Sequence, residues 1–230
     1  MIVHLIRHGQ AFNTHPEEGF NNPENPPLTP EGVAQAECVA RRVSKLNIDR
    51  LLTSPMRRSI ETAARISDVV GQPPEIWFRS HEFRDASGYT AWGAREIRTR
   101  YPNVVLPHNV PDEGWYYGLE RLDLATARAD AMIDWLSIQN RTAPPRQVAI
   151  VSHGDFIRIV LARVLGLHVN AFWPVTLAHT SICTLRFLPD DTAPPNAATR
   201  ARNDIEILSI NDIDHLSRDS EMGPLAGLSR

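Results

Sequence analysis

The chain has 230 residues, 42% of them hydrophobic and 22% charged, a globular composition that excludes wholesale disorder. Its 24 basic and 27 acidic residues leave a net charge of -3, so there is no broad electrostatic footprint for nucleic acid or an anionic membrane. The length suits one compact core, expected over residues 1–212, with a tail over 213–230.

Residues 1–6 (MIVHLI) read as a buried first strand, too short and too lacking in leading charge for a signal peptide. A polar loop follows in which Pro16, Pro23, Pro26 and Pro27 oppose regular structure. Thr29-Pro30 signals a helix start, and Val33, Ala36, Val39, Ala40 and Val43 recur at helical spacing, predicting a helix over 30–46. Residues 49–53 predict a second strand. Ser54-Pro55 ends it and opens a helix to about Val70, closed by Gly71. Residues 75–78 predict a further short strand.

Residues 81–111 read as irregular, within a cap over about 81–117. Its aromatics Trp92, Trp115, Tyr116 and Tyr117 either wall a substrate pocket or anchor a long loop. A long helix is expected over 119–140, with Leu122, Leu124, Ala125, Ala129, Met132, Ile133 and Leu136 on its apolar side. Residues 147–152 (QVAIVS) form the clearest core strand. They turn through His153-Gly154 into a helix that carries Phe156, Ile159, Val160 and Val164 and stops at Gly166. Residues 181–188 and 205–210 are expected to pair as terminal strands.

Strands alternating with helices predict an α/β three-layer sandwich, a mostly parallel central sheet flanked by helices. Two cysteines, Cys38 and Cys183, are too few for a disulfide framework and fit buried thiols in a reducing, cytoplasmic setting. No stretch is apolar enough to span a bilayer.

Ligands of such sheets bind outside the carboxyl ends of strands, which singles out residues 6–9, 53–58 and 152–155. All three carry cationic or titratable side chains: Arg7 and His8, then Arg57 and Arg58, then His153. Two of them open helices, whose first amides favour an anion. Histidines, arginines and helix N-termini converging on one pocket would hold a dianion, most simply a phosphoryl group. Lys45 is the only lysine among the 24 basic residues, so the cations here are arginines, the better bidentate partners for phosphate, although a genome-wide coding bias is the simpler source of that excess.

LIRHGQ at residues 5–10 resembles the signature of the histidine phosphatase superfamily, which includes the cofactor-dependent phosphoglycerate mutases. LTPEGVAQAE, SPMRRSIETA and VSHGDFIR are similar to three further segments of that family, in the family's order. The resemblance implies a phosphoglycerate mutase-like fold and a metal-independent phosphomonoesterase acting on a small phosphorylated substrate. No cofactor, nucleic-acid partner or membrane is implied. It makes His8 the nucleophile that becomes phosphohistidine. Arg7, Arg58 and His153 bind the phosphoryl group, and Glu82 donates the proton. Arg58, four residues after Ser54, matches the family's arginine; its neighbour Arg57 reads as a solvated helix position. The surroundings of Glu82 depart from the family's pattern, which leaves Asp85 and Glu113 as alternatives. Thr14 stands where the family often has asparagine, with Asn13 one position early. A mutase using the same pocket, or a phospho-ligand binding protein with weakened catalysis, are the other readings.

His4 and His8 stand four apart, which on a strand separates them by about 13 Å and speaks against a metal pair. Ser152, His153 and Asp155 have triad residue types, but sequence neighbours rarely reach triad geometry. His15, His81, His108, His168 and His215 read as surface or loop histidines. His179 precedes a strand where the chain returns toward the pocket.

Overall fold

The structure, a computed structural model, describes residues 1–12, 25–84, 89–142, 147–172, 174–189, 202 and 204–217. In chain order the elements are β1 (Ile2–Arg7), α1 (Pro30–Val43), β2 (Arg50–Thr53), α2 (Arg57–Val70) and β3 (Pro74–Ile76). The cap follows, with β4 (Tyr89–Ala91), α3 (Ala94–Arg100) and β5 (Trp115–Tyr117). The chain then forms α4 (Leu122–Thr142), β6 (Gln147–Ser152), α5 (Gly154–Val164), β7 (Ile182–Phe187), β8 (Ile205–Asp212) and α6 (Asp214–Ser217).

Six strands make one sheet in the order β3-β2-β6-β1-β7-β8. The first four are mutually parallel; β7 pairs antiparallel with β1, and β8 pairs antiparallel with β7 at the edge. Helices cover both faces. Val3, Leu5, Val148 and Ile150 pack toward α4 and α5, while Ile6, Ala149 and Val151 pack toward Val39 and Val43 of α1 and Ala63 and Ile66 of α2. Burial on both faces is why β1 and β6 are almost continuously apolar rather than alternating.

Register is what positions the site. Arg7 pairs with Ser152, and Thr53 pairs with Val151, so β2, β6 and β1 end level with one another. Their three exits therefore open side by side on one edge of the sheet. Thr29 caps α1, its Oγ1 accepting the Gly32 N–H at 3.0 Å with proline at the first turn, as its sequence predicts. The loop after β1 lies against this helix start at backbone contact. A Cβ on Gly9 would sit 2.5 Å from the Gly32 carbonyl oxygen, and one on Gly32 would sit 1.9 Å from that of Gln10. Both motif glycines are thus required by close approach of two chain segments.

Several expectations are corrected. Ser54, Pro55 and Met56 precede the helix rather than start it, and α2 begins at Arg57. β3 stops at Ile76, and a 3-10 turn occupies Phe78–Ser80. The segment read as irregular holds α3 and an antiparallel hairpin of β4 on β5, with Ile97 packed against Ile60, Ile76 and Val104. Leu124 is 57% exposed because it lies off the stripe formed by Ala125, Ala129, Met132, Ile133 and Leu136. The β7–β8 pairing agrees with the sequence reading. Beyond it, Asp214–Ser217 form a short helix whose His215 is buried, with its Nε2 3.1 Å from Thr180 Oγ1. Pro16, Pro23, Asn13 and Thr14 lie outside the described residues, as do residues 218–230 of the expected tail. Among the described residues, no helix is long and apolar enough to cross a membrane.

The glycine contact carries a prediction. Gly32→Ala overpacks backbone against backbone and is expected to lower stability by about 1–3 kcal/mol, read from the urea midpoint.

Candidate active site

Arg58, on the first turn of α2, is 1% exposed and stands at the centre of the strand exits. Its Nε donates to His8 Nε2 at 3.0 Å, and its Nη2 donates to His153 Nδ1 at 3.2 Å. The two imidazole rings lie 5.0 Å apart in an edge-to-face arrangement. The register of β1 and β6 thus brings His8, His153 and Arg58 into one cluster.

The partners settle which nitrogen of each ring is protonated. His8 Nδ1 is 2.6 Å from the Gly9 carbonyl oxygen, which only accepts, so Nδ1 carries the proton and Nε2 keeps its lone pair. His153 Nδ1 receives a guanidinium N–H, so its proton is on Nε2, which donates to Ser54 Oγ at 2.7 Å and lies 3.3 Å from Ser59 Oγ. Burial, then Arg58 and Arg7, hold the His8 pKa well below the usual histidine range. Burial, then Arg58, do the same for His153. Both rings are neutral at neutral pH, and His8 Nε2 is a free base aimed at an arginine.

Arg7 leaves β1 with its Nη1 on the Leu177 carbonyl at 2.5 Å. Its Nε, like Arg58 Nη1, is buried with no hydrogen-bond partner among the described residues. Two unpaired guanidinium donors beside a nucleophilic nitrogen suit an anion with several oxygens. The loop itself is held by Thr62, whose Oγ1 accepts the Gly9 N–H at 3.1 Å and donates to the Arg58 carbonyl at 2.8 Å.

Glu82 is half-buried and belongs to the same electrostatic group. Its charge opposes the fall that burial imposes on the Arg7 and Arg58 pKa values, the latter brought to about 10. Its Oε1 accepts the N–H groups of Phe83 at 2.9 Å and Phe156 at 3.1 Å, the latter in the first turn of α5. Burial and then the charge of Asp155 raise its pKa to about 7, with Arg58 opposing. Arg128 of α4 clamps the loop that carries it. Arg128 Nη1 donates to the carbonyls of Arg79 at 2.7 Å and His81 at 2.9 Å, its Nε and Nη2 pair with Glu120, and the guanidinium lies 3.9 Å above the Phe156 ring. Sequence reading missed this residue because nothing in a helix position advertises a contact 47 residues away. Ser54, Ser59 and Thr62 were also missed as site residues, although they stand inside the SPMRRSIETA segment.

Other candidates fall elsewhere. Glu113 is 81% exposed, paired with Arg95 at 3.0 Å in a groove of about 450 Å³ that Asn25, Arg57 and Trp92 also line. Asp85 lies outside the described residues. Arg57 is not simply solvated: it pairs with Glu61 at 2.7 Å and lies 5.0 Å over Trp92. Arg100 stands 5.4 Å from the same ring, and Tyr117 stacks on Tyr89 at 4.8 Å, while Tyr116 is 68% exposed. His179 does reach the pocket, its ring 6.0 Å from His8. His81 is half-buried rather than superficial, 4.7 Å from Tyr117, and burial followed by Arg128 lowers its pKa to about 4. Among the described residues, no group of three or more His, Cys, Asp or Glu is placed to hold a metal ion.

A mostly parallel sheet with histidines at the exits of adjacent strands is the phosphoglycerate mutase-like class of α/β fold. Residues 3–194 match the histidine phosphatase superfamily (branch 1), and the chain belongs to that superfamily. A glucosyl-3-phosphoglycerate phosphatase of Mycolicibacterium vanbaalenii is 30% identical over 181 residues, 74% of this chain and 76% of its own. A Proteus mirabilis protein carrying the name phosphoglycerate mutase GpmB is 28% identical over 187 residues, covering 78% and 82% of the two chains. The crystal structure of a phosphoserine phosphatase from Entamoeba histolytica with phosphoserine superposes with a TM-score of 0.62 over 94% of this chain and 98% of that one. At 21% identity that likeness is one of fold.

The Glu82 environment has a consequence for stability. A carboxyl whose pKa rises from 4.5 to about 7 on folding favours the fold below about pH 4.5, and that contribution is lost as pH rises through 7. Glu82→Gln is therefore expected to melt above the parent at pH 8, with the gap closing toward pH 4.5 in thermal scans across that range.

Proposed function

We propose that the protein is a phosphomonoesterase that works through a phosphohistidine on His8, requires no metal, and takes small phosphorylated substrates. The observation that carries this reading is His8 Nε2 itself, an unprotonated nitrogen whose ring proton is committed to the Gly9 carbonyl and whose neighbours are the buried guanidinium of Arg58 and the half-buried Arg7. The phosphatase names among its relatives support the reaction class.

In the first step His8 Nε2 attacks phosphorus while the ester P–O bond breaks, and the protonated Glu82 carboxyl gives its proton to the departing oxygen. In the second, the Glu82 carboxylate takes a proton from water as the water oxygen attacks phosphorus. The P–N bond then breaks and inorganic phosphate leaves. Arg7, Arg58 and His153 hold the phosphoryl oxygens and offset the charge that spreads over them in transit. Arg58 must give up its contact with His8 Nε2 as the phosphoryl group enters, and its buried, unpaired Nη1 is a further donor for that group.

The test is phosphate release over a panel of phosphomonoesters with chelator present. Turnover is expected for the parent and at background for His8→Ala, with an acid-labile phosphoenzyme trapped only in the parent. Return of the phosphoryl group to the substrate in place of free phosphate would identify a mutase. Ligand-raised melting temperature without turnover would identify a binding protein.

The pH profile tests Glu82. An acid with a pKa of about 7 is in its donating form below that value, so kcat/KM is expected to fall as pH rises past 7. Glu82→Gln should lose about 10²- to 10⁴-fold in rate and lose that alkaline limb as well.

A further inference from the structure

Tyr89 plays no part in the mechanism above, yet its placement is costly unless something meets it. It is the first residue of β4, wholly buried, and among the described residues its hydroxyl has no hydrogen-bond partner. A buried hydroxyl left unpaired costs about 1–3 kcal/mol, and a phenylalanine would fill the same space without that cost. The ring is firmly held. It stacks on Tyr117, its register partner in β5, at 4.8 Å and an interplanar angle of 21°, and it packs with Met56, two residues before Arg58. The Arg84 guanidinium lies 5.5 Å from its centroid. Arg58 has its own orphan, the buried Nη1. The two groups feel one another: burial and then Tyr117 push the phenol well above its usual range, while Arg58 and Arg128 oppose that shift. The hydroxyl therefore keeps its proton at any working pH and can act only as a donor toward an anion.

We propose that Tyr89 is a phosphoryl-binding residue, its hydroxyl donating, alongside Arg58 Nη1, to a non-bridging oxygen of the bound phosphoryl group. This rests on the phosphatase reading. It gives the cap a direct hold on the reacting group, so that the hairpin of β4 and β5 completes the anion site rather than merely covering it. Because the contact is to the phosphoryl group and not to the leaving group, it should act equally on every substrate.

Orthovanadate inhibition, kcat/KM on two unrelated phosphomonoesters, and thermal melting of Tyr89→Phe test it, with Tyr116→Phe as an exposed control. A donor to a charged oxygen lost in this way should weaken vanadate about ten- to hundredfold and lower kcat/KM by a similar factor on both substrates. Removing an orphaned hydroxyl should at the same time leave the melting temperature unchanged or raise it by about 2–4 °C. Unchanged vanadate inhibition, or a loss confined to one substrate, would overturn the contact while leaving the phosphatase reading intact. A fall in melting temperature would also overturn it, by showing that the hydroxyl serves the hairpin. Failure of the parent to bind vanadate would overturn the phosphoryl pocket itself and the Tyr89 contact with it.

Discussion

A guanidinium taken out of water has to be met by acceptors, and the most economical acceptors that leave a net positive site are neutral imidazoles. Arg58 is met in this way by His8 and His153. Much else follows from that contact. Each histidine must be uncharged and must turn a lone pair toward the arginine, so each needs a fixed partner for its single proton. The Gly9 carbonyl supplies one and Ser54 Oγ the other. The loop that holds the Gly9 carbonyl must then be rigid, which Thr62 and the close packing on Gly32 provide. The small residues around the histidines are the set of supports that a buried cation between two bases demands.

Glu82 is positioned by different means. Glu82 follows a 3-10 turn and lies in a loop with no regular structure of its own, so its position is imposed from outside. Arg128 reaches from α4 to two carbonyls of that loop, and the first turn of α5 adds the Phe156 N–H to the carboxylate. The two histidines are thus built into strand ends, whereas Glu82 depends on a long-range clamp. That division also accounts for the opposite pKa movements. Burial beside cations keeps the histidines neutral, while burial beside Asp155 keeps Glu82 protonated near neutral pH.

Legibility in the sequence followed the same line. β6 runs over the residues its apolar string predicts, and α1 begins at the threonine-proline pair that announces it. Both signals are local, a run of aliphatic side chains and a cap. α3 and the β4–β5 hairpin were missed because each is short and stabilised by residues distant in the chain, Ile97 against Ile60 and Ile76, Tyr89 against Tyr117. Leu124 was misplaced because a helix stripe read without its neighbours has no fixed edge.

By itself the sequence determined the order of the central-sheet strands with their flanking helices and the identity of the residues at three strand exits, which depend on short-range preferences that each segment carries with it. The choice of Arg58 over Arg57 came from the resemblance of SPMRRSIETA to the family's segment. Only the tertiary structure decided that β2, β6 and β1 end level, which protons the two histidines hold, that Glu113 stands apart in the cap groove, that Tyr89 is buried against Tyr117 and Met56, and that Arg128 clamps the Glu82 loop. Those are matters of register, burial and long-range packing, and they come into being only when distant segments are brought into contact and water is excluded between them.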